Sequence, residues 1–250
     1  MTFNRCPMKE WRLVPTIETS GQVQMAIDTW LLEQHRSNLH PPSLRFYTWS
    51  PAAISLGYHQ RNYPESWKSL TWKGEAIDLV RRPSGGRAVL HQGDLTYAVI
   101  TSGLGHNRMQ AYQTICEFLI QGWKQLGIEL QYGEAGRGYI HNPNCFGTAT
   151  GADLVTSDGI KLIGSAQLRR GHAILQHGSM QIRSDAPLFE QVFGQRMAFL
   201  NVEMSIDKIT KTLIQAARDC FEIDFHIEPL SESEWQQINQ LVLDQSEYCN

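Results

Sequence analysis

The stretch from Arg81 to Tyr97, Arg-Arg-Pro-Ser-Gly-Gly-Arg-Ala-Val-Leu-His-Gln-Gly-Asp-Leu-Thr-Tyr, constrains the fold more than any other part of the chain. Two arginines precede a Pro-Ser-Gly-Gly turn, and after Arg87 an apolar strand is interrupted by His91. Paired glycines permit positive φ and close approach of the backbone to a ligand, so amide N–H groups can point at a carboxyl or phosphate oxygen. Arginine forks add fixed charge and paired donors for the same oxygens. A lone Gly-Gly reads as a tight hairpin turn with solvated arginines. Three arginines around one such turn favour an anion or acyl-carboxyl site.

The flanking sequence supplies elements for this turn to join. Ile77 to Arg82 is expected to be a strand entering it, and Arg87 to Ile100 the returning strand, bent at Gln92-Gly93-Asp94. Apolar residues at helical spacing predict helices over Gly21 to Asn38, N-capped by Ser20, and over Met109 to Leu126, closed by Gly127. A further helix is expected behind the cap Ser205, with Ile206, Ile209, Leu213, Ala216 and Cys220 on its buried stripe. Ser231 and Glu234 form a capping box ahead of the last helix. Strands are expected over Leu44 to Trp49, Ala53 to Leu56 and Ile128 to Tyr132. Ala152 to Thr156 and Ile160 to Ala166 flank the hairpin turn Ser157-Asp158-Gly159, and Ala173 to Gln176 continues to Ser179–Ile182 through a bend at Gly178. Trp67 to Ala76 reads as a short helix ending at Gly74. No repeat or linker divides the chain. One α+β domain over residues 1–250, a hairpin-rich sheet with helices packed on it and the C-terminal helices starting at about 205, accounts for the pattern.

Composition narrows the function classes. With 250 residues, 42% hydrophobic content and a net charge of −3, the chain lacks the basic excess of a nucleic-acid binder. No apolar run approaches the roughly 20 residues that span a bilayer, and Met1 to Pro7 lacks a signal-peptide core, so a cytoplasmic location is expected. Five irregularly spaced cysteines form neither a disulfide framework nor a zinc-ligand pattern, so no metal is expected. Cys116 and Cys220 fall on apolar helix faces. Cys145 differs, lying in the loop His-Asn-Pro-Asn-Cys-Phe-Gly where a thiol is positioned to react. Lys161 opens a strand of alternating type. Beside a cysteine its ammonium would stabilise the nucleophilic thiolate and then the charge developing on a thioester oxygen. For His177 three readings stand open: general base, substrate contact, or structural histidine.

The motifs Arg-Arg-Pro-Ser-Gly-Gly-Arg-Ala-Val-Leu-His with Leu-Thr-Tyr, Asn-Cys-Phe, Lys-Leu-Ile-Gly-Ser-Ala-Gln and Ile-Leu-Gln-His-Gly-Ser, in this order, resemble the biotin/lipoate protein ligase superfamily. Within it they are most similar to cysteine-dependent octanoyltransferases of the LipM type. Met25-Ala26-Ile27-Asp28, Leu44-Arg45-Phe46-Tyr47 and Leu56-Gly57-Tyr58 extend the match. The resemblance implies a biotin-ligase-like, class II synthetase-like mixed sheet with a tunnel for a medium-length acyl chain. It implies transfer of octanoyl from acyl carrier protein to a lysine of a lipoyl domain, such as the glycine cleavage H protein or a 2-oxoacid dehydrogenase acyltransferase subunit, with no ATP or other cofactor. Cys145 matches the acyl-thioester nucleophile and Lys161 the lysine that tunes it. Arg82, Gly85, Gly86, Arg87, His91, Gly164, Ser165, Ala166 and His177 match the walls around the acyl group. Arg81, Arg82, Arg87, Arg169 and Arg170 would steer acidic protein partners. An aspartate usually follows the family's histidine, whereas here the sequence is Gln92-Gly93-Asp94. The competing readings are an ATP-dependent lipoate–protein ligase on the same fold, a transferase between two lipoyl domains, and a non-catalytic lipoyl-domain or acyl-binding module.

Overall fold

The computed structural model describes residues 9–105, 107–133 and 153–247, with side chains to 244. The elements run β1 (Lys9–Thr19), α1 (Gly21–Arg36), β2 (Ser43–Trp49), β3 (Ala53–Leu56), a 3₁₀ turn (Glu65–Ser69), β4 (Thr71–Trp72), β5 (Glu75–Ala76), β6 (Asp78–Arg81), β7 (Val89–His91) and β8 (Asp94–Ser102). They continue with α2 (Arg108–Gln125), β9 (Leu130–Tyr132), β10 (Asp153–Thr156), β11 (Lys161–Arg170), β12 (Ala173–Gln181), α3 (Ala186–Phe193), α4 (Ile206–Phe221), β13 (Ile223–Ile227) and α5 (Glu232–Glu247).

Eight strands form one mixed sheet in the order β13-β1-β2-β8-β12-β11-β10-β9, parallel from β13 to β2 and antiparallel beyond. Alternation along its central strands sends side chains to two different layers. Leu44 and Phe46 of β2, with Leu95, Tyr97 and Val99 of β8, join Ile115, Phe118, Leu119 and Leu213 of α2 and α4 in an apolar core. Tyr47, Ala98, Ile100 and Leu175 face the opposite way, toward Met25, Trp30 and Leu31 of α1 and Ile238 of α5. A small sheet, β6-β3-β7, lies on the α1 side, with Ile54, Leu56, Val89 and Leu90 packed against Leu188, Phe189 and Val192 of α3.

The mixed sheet with packed helices agrees with the expected fold class, and several elements differ from expectation. Gly85-Gly86 does not close a hairpin: β6 and β7 both pair with β3, in parallel and antiparallel sense, so the turn crosses from one edge of the small sheet to the other. The returning strand divides at Gln92-Gly93, leaving β7 in the small sheet and β8 in the large one. The helix expected over Trp67 to Ala76 is a 3₁₀ turn followed by a two-stranded hairpin, with Lys73 and Gly74 both at positive φ. β12 passes through Gly178 without a bend. Glycine is required there for packing, since a Cβ would stand 2.4 Å from Ser165 Oγ and 2.7 Å from Tyr97 Cε1. Ser20 caps α1 without a side-chain bond, and Asp78 Oδ2 accepts from the Gly21 N–H at 2.9 Å instead.

Candidate functional site

The strand register builds the site. Gly164 pairs with Ser179, Ser179 with Thr96, and Thr96 with Tyr47, so one row crosses β11, β12, β8 and β2 on the α1 face of the large sheet. A second row, Ala166, His177 and Ala98, runs beside it. Above these rows lie Ser55 of β3, Val89 and His91 of β7, Met25 of α1, and Arg82 and Gly86 of the turn. Between floor and roof is a narrow slot, partly open to solvent. Trp49 closes its β2 end. Its ring stacks on His91 at 3.8 Å between centroids, and its indole N–H donates to Thr96 Oγ1 at 2.8 Å. Among the described residues, Trp49 alone also lines the neighbouring cavity beneath the β4–β5 hairpin.

Two buried carboxylates organise the slot's polar groups. Asp94 Oδ2 accepts from His91 Nδ1 at 2.8 Å, which leaves His91 Nε2 as acceptor for the Ser55 hydroxyl at 2.8 Å. Asp94, three residues beyond His91, therefore reaches its ring across the Gln92-Gly93 turn. Burial pushes His91 below the ordinary histidine range, against the opposing pull of Asp94, so the imidazole is neutral at neutral pH. Asp28 Oδ2 accepts from His177 Nδ1 at 2.7 Å and from the Tyr47 hydroxyl at 2.9 Å. His177 Nε2 then faces Ser84 Oγ at 2.5 Å. Burial, reinforced by the Asp28 charge, pushes the Tyr47 phenol well above its usual range.

The arginines of the motif have a different task from the one their forks suggested. Arg82 gives Nη1 to the Ser55 carbonyl at 2.7 Å and Nη2 to the carbonyls of Gly85 and Arg87 at 2.9 and 2.7 Å. Arg81 gives Nη1 to the carbonyls of Gly57 and Gln60, both at 2.8 Å. They hold the turn and the adjoining loop in shape. A Cβ on Gly57 would stand 1.8 Å from the Gly86 carbonyl oxygen, so this crossing tolerates only glycine. Of the expected wall residues, Arg82, Gly86, His91, Gly164, Ser165, Ala166 and His177 line the slot, while Gly85 and Arg87 are not among its described lining residues. Arg169 and Arg170 stand at the end of β11 far from Lys161, bonded to the Asn107 carbonyl and to Glu33 respectively.

Lys161 begins β11, is 5% exposed, and pairs with the equally buried Asp153 at 2.9 Å. Asp153 pairs in register with Gly164, so this ion pair continues the row beyond the slot's β11 end. Ala166, opposite His177, is five residues along the strand from Lys161, or roughly 16 Å. His177 thus belongs to the body of the slot. Cys145 lies outside the described residues. Cys116, whose thiol is pushed up to about 12 by burial, is inert core. Sequence reasoning gave no role to Asp28, Tyr47, Trp49, Ser55, Ser84, Asp94, Thr96, Asp153 or Ser179. Asp28 lay in a quoted motif, but its pairing with a residue 149 positions away had no local sign.

Residues 20–224 match the lipoyl protein ligase A/B catalytic domain. The chain belongs to this family. It is 34% identical to octanoyltransferase LipM of Carboxydothermus hydrogenoformans, covering 94% of this chain and 95% of that one. It is 33% identical to octanoyltransferase LipM of Bacillus subtilis, covering 92% and 93%. Among solved structures it is similar to lipoate-protein ligase A bound with ATP, with a TM-score of 0.75 and 26% identity over 93% of this chain and 94% of that one. A lipoic-acid-bound lipoate protein ligase candidate from T. acidophilum gives a TM-score of 0.77 and 26% identity over 94% and 95%. The resemblance read from the motifs and the fold expected from it are both met. No helix among the described residues is long and apolar enough to cross a membrane.

Proposed function

We propose that this chain is an octanoyltransferase that moves octanoyl from acyl carrier protein, through a thioester on Cys145, to a lysine of a lipoyl domain in the cytoplasm. Similarity to LipM octanoyltransferases along nearly the whole chain supports the reaction class. The observation that carries the reading is the slot itself, walled at one end by Trp49 and continued at the other by a buried ammonium. Three interstrand gaps of about 4.8 Å separate β11 from β2, giving roughly 14 Å. Seven carbon–carbon bonds of about 1.5 Å in a zigzag cover about 9 Å, so an octanoyl tail fits between Trp49 and a carbonyl near Lys161.

In the first half-reaction the Cys145 thiolate attacks the thioester carbon, the bond to the carrier's sulfur breaks, and that thiolate leaves and takes up a proton. Lys161, its charge balanced by Asp153, stabilises the oxyanion. In the second, the acceptor lysine's neutral amine attacks the same carbon, the amide forms, and Cys145 departs as thiolate while the amine's proton passes to solvent. The first step exchanges one thioester for another and is near-balanced, the second turns a thioester into an amide and runs downhill, so ATP is not used. The test is mass spectrometry of the protein mixed with octanoyl-acyl carrier protein and no ATP. An octanoyl adduct absent from Cys145→Ser is expected. Lipoyl-domain modification that requires free acid and ATP would overturn the reading in favour of a ligase.

A further inference from the structure

Among the described residues, every polar side chain lining the slot is hydrogen-bonded to another protein group. Thr96 and Ser179 give their hydroxyls to Asp94 Oδ2 at 3.2 and 2.6 Å, and Tyr47 gives its own to Asp28. Ser165 accepts the Tyr97 hydroxyl at 2.9 Å, and both ring nitrogens of His91 and of His177 are taken. These bonds converge on two residues that do not themselves line the slot. Asp94 Oδ2 collects three donors and Asp28 Oδ2 collects two, and the two residues are 2% and 0% exposed. A carboxylate only accepts, so each donor that turns to it turns its proton away from the slot. Methyl groups, ring faces and glycine backbone remain to meet a ligand.

The geometry points to Asp94 and Asp28 as residues that determine which acyl tails the slot takes: an unsubstituted hydrocarbon is accepted, and a tail of equal length ending in a hydroxyl is rejected. This rests on the reading of the slot as an acyl site. A hydroxyl entering it sheds water and finds the surrounding donors and acceptors already bonded to one another. Asp94→Leu keeps the branched shape of the side chain. It offers no acceptor, so the three donors gathered on Oδ2 lose their partner. The hydroxyls of Thr96 and Ser179 are then released to meet a polar tail.

The experiment compares binding of octanoic acid and 7-hydroxyheptanoic acid, its equal in chain length, to the full chain by calorimetry, alongside transfer from the matching acyl carrier thioesters. The wild-type protein is expected to favour octanoate by roughly 10- to 100-fold in Kd. Asp94→Leu is expected to shrink that ratio about tenfold, chiefly by tighter binding of the hydroxy acid, and Asp94→Glu to retain it. Adding Thr96→Val and Ser179→Ala to Asp94→Leu removes the released hydroxyls and raises the ratio again. Asp28→Leu, acting through Tyr47 and His177, makes the same test should Asp94→Leu not fold. A wild-type protein that binds the two acids alike, or a folded aspartate variant that weakens both in parallel, overturns the proposal. Discrimination as expected without transfer of either group removes the transferase reading and leaves the roles of Asp94 and Asp28 standing.

Discussion

The two faces of the large sheet are made by the same strands and do different work. Toward α2 and α4 the central strands present Leu44, Phe46, Leu95, Tyr97 and Val99, and the layer is held by apolar contact. Toward α1 the alternate residues of those strands include Arg45, Tyr47, Thr96, His177 and Ser179, all buried. Burying polar groups costs free energy unless they find partners, and here Oδ2 of Asp28 and Oδ2 of Asp94 gather the donors, while Arg45 Nη1 lies 3.7 Å from Asp28 Oδ1 without a hydrogen bond. The apolar face tolerates any close-packed solution. The polar face permits one hydrogen-bonded arrangement, and that arrangement shapes the slot. Apolar packing holds both sides of the sheet, and the α1 side adds to it the buried polar network beside the slot.

The contrast is sharpest where the slot face approaches the reaction. Lys161→Met removes the ammonium at the β11 end and should lower the rate of acyl-enzyme formation by about 10²- to 10³-fold. Single-turnover kinetics with octanoyl-acyl carrier protein measure it, and a rate within threefold of wild type would break the link between this end and catalysis. On the other face, Leu119→Ala should cost about 3 kcal/mol of stability in urea unfolding while leaving the rate per folded molecule unchanged. A matching loss of rate would show that the faces are not separable. Trp49→Leu opens the end wall toward the neighbouring cavity. Donors two to four carbons longer should gain roughly tenfold against octanoyl in kcat/KM, and an unchanged chain-length profile would place the end of the slot elsewhere.

The smallest expected effect is electrostatic. His91 is held below the ordinary histidine value of 6.5 in the folded protein, so below that value the unfolded chain binds more protons than the folded one. Its contribution to stability is therefore complete above pH 6.5 and is lost as pH falls through the window beneath it. Wild type should lose more of its urea midpoint between pH 7.5 and pH 5 than His91→Gln does. Equal losses would mean that His91 is not buried as a neutral ring.

Helices α1, α2 and α4 and the β10–β11 turn were legible because each is a local pattern: apolar residues at helical spacing, a cap, a Ser-Asp-Gly turn. β1 and β13 carried no such signal. They pair in parallel across more than 200 residues of chain, and α3 is a short helix on the small sheet. The glycine pair at Gly85-Gly86 was correctly read as a constrained turn and wrongly as a hairpin. Strand partners are chosen by the whole sheet, and β3 lay between. Of the site, the wall residues of the recognised motifs were found from sequence. The groups that orient them were not, because a hydrogen bond between positions such as Asp28 and His177 leaves no periodicity.

The sequence by itself determined the family, the reaction class that the family suggests, and the residue types available for acyl chemistry, since these depend on ordered short motifs. The tertiary structure decided which of those residues face one another. It turned Arg81 and Arg82 into braces for backbone carbonyls, made Trp49 an end wall, and set Asp94 beside His91 across the Gln92-Gly93 turn. Contact between distant residues follows from strand register and layer packing, and these are properties of the folded chain as a whole.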